Sequence, residues 1–87
     1  MKKVLMFKMK GCPYCAKAFR LVDEIREKEP ELRDVDIEVV DENEQPELAG
    51  KYDYWYVPTF YVDGEKLLEG DPSAEQVERV LRTAVGK

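Results

Sequence analysis

With 87 residues, 44% of them hydrophobic and 38% charged, the chain reads as one globular domain spanning 1–87 and not as a disordered segment. No apolar run approaches the ~20 residues of a membrane span, and a net charge of −5 argues against nucleic-acid binding. Histidine is absent and cysteine numbers two, which excludes a His-based triad and a self-contained four-ligand Cys/His zinc site. No metal site is expected.

The charge is unevenly spread. Residues 1–20 carry six cations and no acid, whereas all 19 acids fall between residues 21 and 78. The basic block is either a solvated strand end or a positive field around Cys12, which lies inside it.

Lys3 to Met9 reads as the first strand. Val4, Leu5, Met6 and Phe7 are contiguous and apolar, as in a strand covered on both faces. This run of four is too short for a signal-peptide core, so a cytoplasmic protein with nothing removed is expected. Gly11 ends the strand, and Pro13 suits the first turn of a helix, where a missing N–H costs nothing. That helix runs to about Lys28 and stops before Pro30. Cys15, Ala18, Phe19, Val22 and Ile25 form its apolar face, widened by Ala16 and Leu21.

Val35, Ile37 and Val39 alternate with acids and predict a second strand. Pro46 to Tyr52 reads as a short helix weakened by Gly50, and Pro58 to Val62 as a third strand. Asp63-Gly64 signals a hairpin leading into a strand over Glu65 to Glu69. Ser73-Ala74-Glu75-Gln76 is a capping box. Val77, Val80, Leu81 and Ala84 then follow at the spacing of one helix face. The order is β-α-β-α-β-β-α, with the first two strands parallel through a right-handed crossover.

Both cysteines fall in one C-x-x-C, Cys12-Pro13-Tyr14-Cys15, after a strand and at a helix start. Positions i and i+3 of a helix share a face, at a separation compatible with the ~4.4–6.8 Å between Cα atoms that a disulfide needs. At the first turn, unpaired N–H groups and the positive end of the helix dipole favour a thiolate at Cys12, and Lys10 adds a nearby cation. Cys12 is then the nucleophile of disulfide exchange, and Cys15, pointing toward the core, the resolving thiol. A bare C-x-x-C also fits two structural cysteines, or half of a zinc site completed by a dimer. The strand, Gly11, Pro13 and the βαβ pattern together favour the redox role.

Cys12-Pro13-Tyr14-Cys15 resembles the active site of dithiol glutaredoxins. The stretch from Asp41-Glu42-Asn43 through Pro46-Glu47-Leu48-Ala49 and Lys51-Tyr52 to Val57-Pro58-Thr59-Phe60 is similar to thioredoxins, and Gly64 and Gly70 match both. The resemblance runs from Val4 to about Val85. It implies an α/β thioredoxin fold: a four-stranded mixed sheet of order 2-1-3-4 with three helices on both faces. It also implies a cis Val57–Pro58 bond packed against the active site, with Val57 pairing its backbone with a substrate peptide or with glutathione. On the same ground Lys10, Tyr14, Val57, Pro58, Gly70 and Asp71 are the expected substrate or glutathione contacts.

The chain departs from glutathione-binding members at two places. Met9 stands where the family usually has Lys, and the turn before the last helix reads Glu69-Gly70-Asp71-Pro72-Ser73. Pro72 has no N–H to give a carboxylate, and Glu69 and Asp71 would repel one. The chain also lacks the Trp-Cys-Gly-Pro-Cys motif of typical thioredoxins and their buried Asp in the strand before the active site. Tyr14, Trp55 and Tyr56 are expected to form an aromatic rim for a partner peptide, with Tyr52, Tyr54 and Phe60 in the core. The expected function is reduction of protein disulfides, and of glutathione mixed disulfides, by dithiol exchange in a monomer. No cofactor is required, and electrons come from glutathione or a flavin-dependent thioredoxin-type reductase. The alternative is a glutathione-dependent iron–sulfur carrier; in the family, Pro13 after Cys12 goes with redox activity instead.

Overall fold

The computed structural model describes residues 1–86. Within them the chain forms β1 (Val4–Lys8), α1 (Pro13–Lys28), a 3-10 turn (Pro30–Leu32), β2 (Ile37–Asp41), α2 (Pro46–Ala49), β3 (Thr59–Val62), β4 (Glu65–Glu69) and α3 (Ala74–Ala84). The sheet order is β2-β1-β3-β4. β1 runs parallel to β2, with Val4 opposite Ile37 and Lys8 opposite Asp41. It runs antiparallel to β3, with Val4 opposite Val62. The β3–β4 hairpin turns on Asp63 and Gly64, whose φ angles of 52° and 85° are the left-handed pair a two-residue turn needs. This is the mixed thioredoxin-type sheet that the family resemblance implies.

Alternation along the central strands divides the core into two layers. Val4 and Met6 of β1, with Phe60 and Val62 of β3, pack against Ala18, Val22 and Ile25 of α1 and Val77, Val80 and Leu81 of α3. Phe7 and Tyr61 face the other way, onto Val40, Ala49 of α2, Tyr52 and Tyr54. There the Phe7 ring stacks on Tyr54 at 4.9 Å and meets Tyr61 edge-on at 6.0 Å, the offset and edge geometries that aromatic quadrupoles favour. Tyr52, Tyr54 and Phe60 thus lie inward, as expected, and Tyr61 joins them.

Three expectations shift. Phe19 is exposed, and the buried stripe of α1 is Cys15, Ala18, Leu21, Val22 and Ile25. At about 100° per residue, Leu21 lies nearer the centre of that stripe than Phe19; Ala16 is exposed as well. β2 begins at Ile37 and reaches Asp41, two residues later than the alternation suggests, because Val40 and Asp41 pair with Phe7 and Lys8. Val35 is buried ahead of the strand, its carbonyl accepting from the Arg26 guanidinium. α2 stops at Ala49, where Gly50 gives up the helix and Tyr52 turns in toward Phe7. Among the described residues no helix is long and apolar enough to cross a membrane.

Candidate active site

β1 delivers the chain to Gly11, whose φ of +77° makes the bend that returns it into α1. Cys12 is the N-cap of α1, extended at φ −91° and ψ 113°, with Pro13 in the first turn. Its Sγ accepts the Cys15 N–H at 3.2 Å. The first turn of α1 contains no acid to oppose the helix dipole. On its other side the Cys12 thiol donates to the Val57 carbonyl at 3.8 Å.

Both cysteines are free thiols, Cys12 partly exposed and Cys15 buried. Burial is the first cause that pushes the Cys15 thiol up, to about 12; hydrogen bonding with Cys12 adds to it. The Met9 backbone and the Lys8 charge act in the opposite direction. Lys8 is held by Asp41 at 3.4 Å. A shallow cavity of about 200 Å³ beside the thiols is lined by Lys8, Lys10, Cys12, Cys15 and Phe19.

The Val57–Pro58 peptide is cis, as the resemblance implies. The loop before it is pinned along its backbone. Tyr61 Oη donates to the Asp53 carbonyl at 2.5 Å, and Thr59 Oγ1 to the Tyr56 carbonyl at 2.5 Å. The Glu69 carboxylate accepts the Trp55 N–H and, at 2.9 Å, the Tyr56 N–H. Gly70 N–H donates to the Pro58 carbonyl at 2.9 Å. The Lys66 ammonium, then the two backbone N–H groups, hold the Glu69 carboxyl down at about 2. Two side chains of this loop nevertheless face solvent, Trp55 at 85% exposure and Tyr56 at 70%; Tyr14, in the first turn of α1, is 50% exposed.

The structure therefore brings together Cys12, Cys15, Val57, Pro58 and Gly70, and leaves Lys10 exposed beside them. Asp71 is placed differently from the bare charge that the sequence suggests. Its carboxylate meets Lys17 of α1 at 2.9 Å, and Glu69 is likewise engaged, so the expected double repulsion at the start of α3 is softened. Pro72 is buried there, and the cap consumes the Ser73 and Gln76 donors. Ser73 N–H donates to Gln76 Oε1 and Gln76 N–H to Ser73 Oγ, both at 3.1 Å. The Glu69 clamp and the Lys17 bridge escape sequence reading because each spans the fold; the latter joins residues 54 apart. Among the described residues no group of three His, Cys, Asp or Glu side chains could hold a metal ion.

Comparison with known proteins agrees with this geometry. Residues 2–82 match the family described as thioredoxin domain. A thioredoxin of Methanocaldococcus jannaschii is 29% identical over 80 residues, covering 92% of each chain. In fold, the chain is similar to the oxidised thioredoxin of Plasmodium falciparum, with a TM-score of 0.68 at 21% identity, over 94% of this chain and 79% of that one. It is also similar to thioredoxin 1 of Thermosipho africanus, with a TM-score of 0.60 at 22% identity, over 95% and 98%.

Proposed function

The chain belongs to the thioredoxin family of thiol–disulfide oxidoreductases, and from that premise we propose that it reduces disulfides of other proteins through Cys12 and Cys15. The supporting observation is the setting of Cys12 Sγ, between the Cys15 N–H at 3.2 Å and the Val57 carbonyl at 3.8 Å. The thiolate is the attacking species in disulfide exchange, and the Cys15 N–H and the N-terminus of α1 both face the Cys12 sulfur. Cys12 attacks one sulfur of the substrate disulfide. That S–S bond breaks, its other sulfur leaves and takes a proton, and a mixed disulfide remains on Cys12. Cys15 then gives up its proton and attacks Cys12 Sγ. The second substrate thiol departs and a Cys12–Cys15 disulfide is left, so two electrons have passed to the substrate. The Val57 backbone flanks the attacking sulfur, where an extended substrate segment would lie.

Two electrons must return from outside. We read the donor as a flavin-dependent thioredoxin-type reductase. A glutathione carboxylate needs free backbone donors at the start of a helix, whereas here Pro72 has none and the Ser73 and Gln76 N–H groups are used. The test has two arms. With dithiothreitol as reductant the protein should reduce insulin, and no acceleration over dithiothreitol alone would overturn the reading. Oxidised protein should be reduced by NADPH with a thioredoxin reductase faster than by millimolar glutathione; the reverse order would assign the donor to glutathione. Anaerobically purified protein should be colourless, since an orange-brown colour would signal an iron–sulfur cluster.

A further inference from the structure

We propose that Glu69 is a positioning residue for disulfide exchange: by binding the backbone N–H groups of Trp55 and Tyr56, it fixes the Val57 carbonyl opposite Cys12 and holds the aromatic rim ready for a substrate polypeptide. This rests on the reading of Cys12 as the attacking thiol.

The loop between α2 and β3 has two consecutive N–H groups, at Trp55 and Tyr56, that the sheet leaves unpaired, and such donors need acceptors. One oxygen of Glu69 serves both. The other oxygen accepts from Lys66 Nζ at 2.9 Å, which locks the carboxylate's orientation from within β4. Only 20% of the Glu69 side chain is exposed, so the clamp sits partly shielded behind the loop. With the Tyr61, Thr59 and Gly70 bonds it completes the anchoring of residues 53–58 on either side of the cis bond.

Of the rings on this segment, Tyr54 stacks on Phe7, whereas Trp55 and Tyr56 take no part in the core. Trp55 and Tyr56 are the most exposed aromatics among the described residues. A rigid backbone under exposed rings does little for packing. It lowers the ordering cost when those rings meet a partner, since the partner finds them already placed. The occupant that fits is an extended segment with an exposed disulfide and apolar residues beside it, laid along Val57 with its side chains against Tyr14, Trp55 and Tyr56. The clamp is also insensitive to ordinary acidity, because the Glu69 carboxyl is held down at about 2.

Two conservative variants separate reach from charge. Glu69→Asp keeps the charge but shortens the side chain by one methylene, so the oxygen no longer spans to both N–H groups. Glu69→Gln keeps the reach and one oxygen for the two N–H groups but loses the charge and the acceptor for Lys66. Insulin and the small hydroxyethyl disulfide serve as substrates, with dithiothreitol as reductant. Glu69→Asp should raise the KM for insulin about tenfold with kcat within about threefold, and should leave the rate on hydroxyethyl disulfide within about twofold. Glu69→Gln should stay within about threefold of wild type on both. In Glu69→Asp the Trp55 and Tyr56 amides should also exchange with deuterium at least about tenfold faster, while β1 amides stay protected. An unchanged insulin KM in Glu69→Asp, equal losses on both substrates, or a Gln variant as impaired as the Asp variant would each overturn the proposal. Failure of the underlying reading shows elsewhere, as a wild-type protein that does not reduce insulin.

Discussion

The two thiols differ because one caps a helix and the other is buried by it. Cys12 receives an N–H and lies partly exposed; Cys15 is 3% exposed, its thiol pushed up to about 12. At neutral pH iodoacetamide should therefore label Cys12 and leave Cys15 unmodified, and peptide mass mapping would show it. Part of the upward shift at Cys15 comes from Cys12 itself. In the proposed cycle that part is removed once Cys12 is tied up in a mixed disulfide, at the step where Cys15 would lose its proton. The same shift makes stability depend on pH. Between the ordinary thiol value of 9.0 and about 12 the folded chain holds a proton that the unfolded chain has lost. Stability is full below that window and falls as pH rises through it. Urea melts of reduced protein between pH 8 and 11 should show this decline, and Cys15→Ala should remove the part of it below about pH 10, above which the partly buried Tyr54 phenol adds a decline of its own. The placing of Cys12 at the helix cap and of Cys15 beneath it is legible in sequence because capping and i, i+3 spacing are local facts. Glu69 is not, because its acceptor role joins β4 to a loop 13 and 14 residues earlier.

α3 and the β3–β4 hairpin are readable because their signals lie within four residues. Ser73 and Gln76 exchange both bonds of the capping box, and Asp63-Gly64 makes the turn. Ser73→Ala removes one of these bonds and should cost about 1 kcal/mol. For a domain of this size that lowers Tm by roughly 4–8 °C, measurable by circular dichroism. The bounds of β2 are less readable. The sequence offers Val35, Ile37 and Val39 as an alternating set, yet pairing with β1 selects Ile37–Asp41. Val39 ends 39% exposed at the sheet edge while Val40 is fully buried. Alternation identifies a strand but does not say which neighbour covers it. Phe19 shows the same limit on α1: the periodicity permits it inside, but the neighbours on that side leave it facing the cavity by Cys12.

Across the whole molecule, the basic first 20 residues and the acidic remainder meet through cross-links such as Lys8–Asp41 and Lys17–Asp71. The acids near the start of α3 are thus bridged, and the proposed preference against glutathione rests on Pro72 and on the Ser73 and Gln76 donors spent in the cap. Chemical-shift mapping with glutathione should show no saturable shifts in the low-micromolar range at Tyr14, Val57, Gly70 and Asp71. The fold order and the cysteine pair could be read along the chain; the loop clamp and the bridge to Asp71 exist only once the sheet has assembled. The central claim is that Cys12 attacks and Cys15 resolves, and trapping tests it most directly. Reduced Cys15→Ser and Cys12→Ser variants are mixed with a disulfide-containing protein, and the products are separated on a non-reducing gel. Cys15→Ser should accumulate a mixed disulfide through Cys12, and Cys12→Ser should accumulate none; equal trapping by both, or trapping only by Cys12→Ser, would contradict the account.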